Sequence, residues 1–89
     1  MARDDLEIVN EKGLHARASA RFVETVEAHD AQAYVRRAGM EATGDSIMGL
    51  LMLGAARGST IEVETSGADA EALMAALRAL VADKFGEGM

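Results

Sequence analysis

The chain has 89 residues, enough for one hydrophobic core and little more. Its formal charge of −6 argues against nucleic acid, which rewards basic stripes. With no cysteine there are no disulfides or thiolate metal sites, and two histidines, His15 and His29, do not make a dedicated zinc site.

Apolar residues make up 49% and charged residues 27%, the balance of a soluble globular protein, so a single domain over 1–89 is expected. Two Phe, one Tyr and no Trp require an aliphatic core. No apolar run reaches membrane-spanning length, and Asp4 and Asp5 do not suit a signal peptide, so a cytosolic protein without membrane attachment is expected. Neither a phosphate-cradling glycine loop nor a dinucleotide fingerprint appears, and no cofactor is expected.

Asp5 to Val9 alternates polar and apolar residues and predicts a half-buried strand. Asn10 to Gly13 is turn material. A helix is predicted from Ala16 to Ala28, with Ala16, Ala20, Val23 and Glu27 in one row and Phe22 and Val26 widening its apolar side. Arg17, Arg21, Glu24 and Thr25 point outward in this reading, and His29 near the helix C-terminus reads as structural. Gln32 to Arg37 and Met40 to Thr43 predict a hairpin about Ala38-Gly39. Ser46 then reads as the N-cap of a short helix from Ile47 to Leu53, closed by Gly54. Ser59 to Thr65 is the cleanest strand. Ala70, Leu73, Met74, Leu77, Leu80 and Val81 place a last amphipathic helix over Asp69 to Lys84, and Gly86 to Met89 reads as a frayed tail. The order β-α-β-β-α-β-α implies a two-layer α+β domain, an antiparallel sheet with helices on one face.

Two stretches carry chemistry. In Gly13-Leu14-His15-Ala16-Arg17, His15 stands just before the first helical turn, beside backbone N–H groups that no carbonyl satisfies. Such an end attracts anions, so an imidazole there is placed to take a phosphoryl group whose oxygens the Ala16 and Arg17 amides would hold. The Arg17 guanidinium adds a group suited to phosphate. Taken alone, the same five residues also fit a simple helix cap. In Ser46-Ile47-Met48-Gly49-Leu50-Leu51-Met52-Leu53-Gly54, a helix with Leu50 and Leu53 inward must expose part of Ile47, Met48, Leu51 and Met52. A patch with methionines adapts to several partners. Ser46 fits both a cap and a phosphorylation site.

Together the two blocks resemble the HPr family, the histidine-containing phosphocarriers of the bacterial phosphoenolpyruvate-dependent phosphotransferase system. The resemblance implies an open-faced β-sandwich, a four-stranded antiparallel sheet with three helices on one side. It implies a monomeric phosphorylated carrier rather than a stand-alone enzyme, serving sugar transport or nitrogen regulation. His15 would take a phosphoryl group on Nδ1 from phosphorylated enzyme I and pass it to a histidine of an enzyme IIA protein. Arg17 would steady that group, Ile47, Met48, Leu51 and Met52 with Arg21 would dock both partners, and Ser46 matches the position modified by HPr kinase/phosphorylase. The chain departs from the family pattern at Ala18, where proline is usual, at Glu24 and Glu27, where many members carry lysines, and at Asp45, where lysine is common. The rival reading is a regulatory interaction module that binds partners without relaying phosphate; the pairing of His15 with Arg17 weighs against it. A small-ligand-binding domain has no polar pocket signature behind it.

Overall fold

The computed structural model describes residues 1–87. Strands β1 (Ala2–Glu7), β2 (Gln32–Arg37), β3 (Met40–Thr43) and β4 (Thr60–Ser66) alternate with helices α1 (Ala16–Glu27), α2 (Ile47–Met52) and α3 (Ala70–Ala82), and a 3-10 turn follows at Lys84–Gly86. The strands form one sheet in the order β1-β4-β2-β3, with every pairing antiparallel. Ile61, Val63 and Val35 line its covered face at 0% exposure, against Phe22, Leu50, Leu73 and Leu77 of the helices. Period-2 burial along β4 and 3.6-period burial along the helices meet in one aliphatic core.

The middle of the chain forms as its sequence predicts, with β2 and β3 at the expected residues. Elsewhere the boundaries move. β1 begins at Ala2 rather than Asp5, because β4 offers partners out to Thr65, which pairs with Ala2. The ladder thus recruits Ala2-Arg3-Asp4, which has no apolar pattern of its own. Ile8 and Val9 lie outside the strand, although Ile8 still donates to the Ser59 carbonyl at 2.8 Å. β4 itself starts and ends one residue later than expected.

On α1 the buried residues are Ala18, Ser19, Phe22, Val23 and Val26. Ala16 and Glu27 are exposed and Ala20 is half-buried, so the row expected through Ala16 and Ala20 is displaced. Phe22 and Val26, anchored in the core, set the phase of the helix. His29 closes α1 structurally, its Nδ1 lying 2.8 Å from the Thr25 carbonyl.

α3 stops at Ala82, and Lys84, Phe85 and Gly86 all take positive φ, 56°, 55° and 76°. That left-handed turn costs on the order of 1–2 kcal/mol for each non-glycine residue, offset by complete burial of the Phe85 ring. It also folds the chain back toward α1. The expected frayed tail is therefore corrected at Gly86 and Glu87, while Gly88 and Met89 lie outside the described residues.

Candidate functional site

The turn that delivers His15 is held from three sides. Gly13 has φ +66°, and a Cβ there would stand 2.4 Å from the Ala55 carbonyl oxygen and 2.8 Å from Ala56 Cα. Only glycine allows this approach. Leu14, next in line, is buried and donates its N–H to the same Ala55 oxygen at 2.9 Å. Asn10 is fully buried beneath the turn, and its Nδ2 donates to the Gly13 carbonyl at 2.8 Å.

His15 then caps α1. Its backbone is extended, and its Nδ1 accepts from the Arg17 N–H at 3.2 Å. The side chain keeps 28% of its surface in solvent. Its Nε2 faces the Glu87 carboxylate, whose other oxygen accepts from Asn10 Nδ2 at 3.0 Å. Burial opposes ionisation of Glu87, but the Asn10 amide, the His15 ring and the Lys12 charge together hold its carboxyl below the usual glutamate range.

Lys12, Arg17 and Arg21 border an open depression around the ring. All three are exposed, and the Arg17 guanidinium has no hydrogen-bond or salt-bridge partner among the described residues. The site is locally cationic in a protein of net charge −6. It has what a transient phosphate site requires: a nucleophilic ring nitrogen at a helix N-terminus, uncommitted cations and access to solvent.

The second stretch lies apart in sequence. Ser46 Oγ accepts from the Gly49 N–H at 3.0 Å and caps α2 as expected. Leu50 and Leu53 are buried, while Ile47 is 41%, Met48 70%, Leu51 36% and Met52 66% exposed. The apolar patch anticipated from the sequence is present. α2 packs against α1, so the patch and the His15 helix belong to one side of the sheet.

The sequence matches the family described as the PTS HPr component phosphorylation site over residues 2–83. The chain belongs to the HPr family of the phosphotransferase system. Its general role is that of a phosphocarrier. It is 46% identical over 88 residues to the phosphocarrier protein HPr of Neisseria meningitidis serogroup B, with 99% of each chain covered. It is 38% identical over 86 residues to the phosphocarrier protein NPr of Escherichia coli K12, with 96% of each covered. An HPr structure from Thermoanaerobacter tengcongensis superimposes over the full length of both chains, with a TM-score of 0.94 at 36% identity. The HPr resemblance and the four-stranded antiparallel fold with three helices are thereby established.

Three residues of the site escaped the reading of the sequence. Asn10 and Lys12 fall in a stretch that the sequence shows only as turn material, with nothing to mark Asn10 as buried. Glu87 lies 72 positions from His15, within the stretch that the sequence alone reads as a frayed tail. The only local hint was Phe85-Gly86, an aromatic residue and a glycine just past the last helical repeat.

Proposed function

We propose that His15 Nδ1 accepts a phosphoryl group from phosphorylated enzyme I and delivers it to a histidine of an enzyme IIA protein. The observation that carries this is the Arg17 N–H on Nδ1, an exposed contact at the first turn of α1. A nitrogen that accepts a hydrogen bond has its lone pair directed outward from the ring, as nucleophilic attack on phosphorus requires. Once Nδ1 is bonded to phosphorus its lone pair is gone. The Arg17 N–H, with that of Ala16, is then released to the phosphoryl oxygens, and the Arg17 guanidinium is free to swing over them.

These are light restraints. A carrier must return what it takes, and a dehydrated cationic cage would hold the group too firmly. In-line transfer between two nitrogens depends on position and charge stabilisation more than on acid–base groups. Ile47, Met48, Leu51 and Met52, with Arg21 beside the ring, supply an apolar and cationic face on which both partners dock in turn.

Intact-mass analysis after incubation with phosphoenolpyruvate, Mg²⁺ and enzyme I tests the reading. The expected result is one acid-labile phosphoryl group, absent from His15→Ala; a wild-type chain that gains no mass overturns it. In the same assay Met48→Asp slows labelling without lowering the melting temperature, because Met48 is mostly exposed. Equal rates would remove Met48 from the docking face. A phosphoryl group on Ser46 is read in parallel with ATP and HPr kinase/phosphorylase against Ser46→Ala. The rival interaction module draws on the same apolar patch and predicts partner binding with no acid-labile label.

A further inference from the structure

Glu87 is the feature of the site that the carrier reading leaves without a task. It comes from the far end of the chain, its side chain is only 9% exposed, and the left-handed turn at Lys84–Gly86 and the buried Phe85 bring it there. Asn10 holds one carboxylate oxygen and the His15 ring meets the other. Both acceptors on Asn10 Nδ2, the Gly13 carbonyl and the Glu87 carboxylate, require the amide nitrogen on that side, which leaves Oδ1 buried without a hydrogen-bond partner among the described residues. An orphaned buried oxygen loses its hydration without a bond in return. The fold accepts that cost while Nδ2 ties the His15 turn to Glu87.

We infer that Glu87 is a positioning residue for phosphoryl transfer, which keeps the His15 proton on Nε2 so that Nδ1 is the nucleophile. The assignment rests on the two ring nitrogens together. Nδ1 accepts from a backbone N–H and cannot carry the proton while it does so; Nε2 faces a carboxylate, which can only accept. A single tautomer satisfies both contacts.

The carboxylate also matches the charge that the reaction creates. The Nδ1 lone pair forms the new N–P bond as the donor's P–N bond breaks, and that electron pair returns to the donor nitrogen. The His15 ring keeps its Nε2 proton and becomes an N-phosphorylated imidazolium. Its positive charge then lies against Glu87, while the phosphoryl group sits on the opposite nitrogen, nearest the α1 amides. On onward transfer the N–P electrons return to Nδ1 and the ring is neutral again, with no proton lost. The negative charge of Glu87 thus supports the loaded ring without touching the phosphoryl group.

This inference rests on the proposed role of His15 for its functional part, but the ring assignment is tested on the unphosphorylated chain. In a ¹⁵N-labelled protein just above neutral pH, the ring N–H is expected on Nε2, shifted downfield and slow to exchange with water. Glu87→Ala should speed that exchange roughly tenfold, the loss of one charge-assisted hydrogen bond. Glu87→Gln, whose amide oxygen still accepts, should retain part of the protection. A proton found on Nδ1, or exchange unchanged in Glu87→Ala, overturns the assignment. In the labelling reaction Glu87→Gln is expected to lower the equilibrium constant for loading about three- to tenfold, since the imidazolium loses its counter-charge. An unchanged constant overturns the functional part. A wild-type chain that never loads overturns the carrier reading instead, and the exchange experiment tells the two failures apart.

Discussion

At the scale of single residues, the site combines groups of opposite strategy. His15 and Arg17 are solvent-accessible, as reacting and gripping groups should be, whereas behind them Asn10 is buried and bonded to the half-buried Glu87. The Glu87 carboxyl is held below its ordinary range, so between its folded and unfolded values the unfolded chain binds more protons and stability rises with pH. Its contribution is fully present above the unfolded glutamate value and is lost as pH falls through the folded one. Urea midpoints of wild type and Glu87→Gln should accordingly differ at pH 7 and converge on acidification through that window. A gap that persists unchanged at low pH would show that the side chain stabilises by packing rather than by charge.

At the scale of elements, the junction between β1 and α1 is the part least tolerant of change. Gly13 brings backbone against backbone at Ala55 and Ala56, with no flexible side-chain end to yield. Gly13→Ala meets both a positive φ and an overlap with a carbonyl oxygen, so a loss of about 2–4 kcal/mol is expected from strain and displacement together. Chemical denaturation measures that loss, and the labelling rate should fall with it, because the residue moved by the clash leads directly into His15. A variant as stable and as active as wild type would mean that the turn is not what positions the ring. By contrast α2 was legible almost completely. Ser46 caps it, Leu50 and Leu53 enter the core, and the remaining large apolar side chains face solvent. A six-residue helix packed on one side must show its other faces, and that arithmetic needs no coordinates.

At the scale of the whole molecule, charge is divided between two faces. On the open side of the sheet Arg36 gathers the carboxylates of Glu41, Glu62 and Glu64, and Arg3 reaches Glu62 at 3.5 Å. Hydrogen bonds to Glu64 and Glu62 raise the Arg36 pKa further. The cations left around His15, Lys12, Arg17 and Arg21, give an acidic protein a positive approach to its site, a field that falls away within a Debye length of salt. The C-terminal segment closes this face through Phe85, which is fully buried. Phe85→Ala should cost about 3–5 kcal/mol, a large share of the roughly 5–15 kcal/mol that holds a small domain together. It should also release Glu87, so the slow ring N–H exchange disappears along with the lost thermal stability. Retained ring protection in a destabilised Phe85→Ala chain would show that Glu87 finds His15 without the turn.

The sequence by itself determined the element order, the hairpin, the inward faces of β4 and α3, and the pair His15 and Arg17 at a helix start. Each is written locally, as period 2, period 3.6, turn residues or a short block, and the family resemblance rests on the same blocks. Tertiary structure decided where β1 begins, which side of α1 is buried and how the chain turns after α3. A strand's length depends on how far its partner offers hydrogen bonds, as Ala2 opposite Thr65 illustrates. The phase of α1 depends on where Phe22 and Val26 meet the sheet, because several small alanines leave that choice open. The turn at Lys84–Gly86 depends on a pocket that only the folded core provides for Phe85. Once that ring is buried, the left-handed turn is tolerated and Glu87 arrives at His15, a contact between residues 72 positions apart that no local pattern encodes.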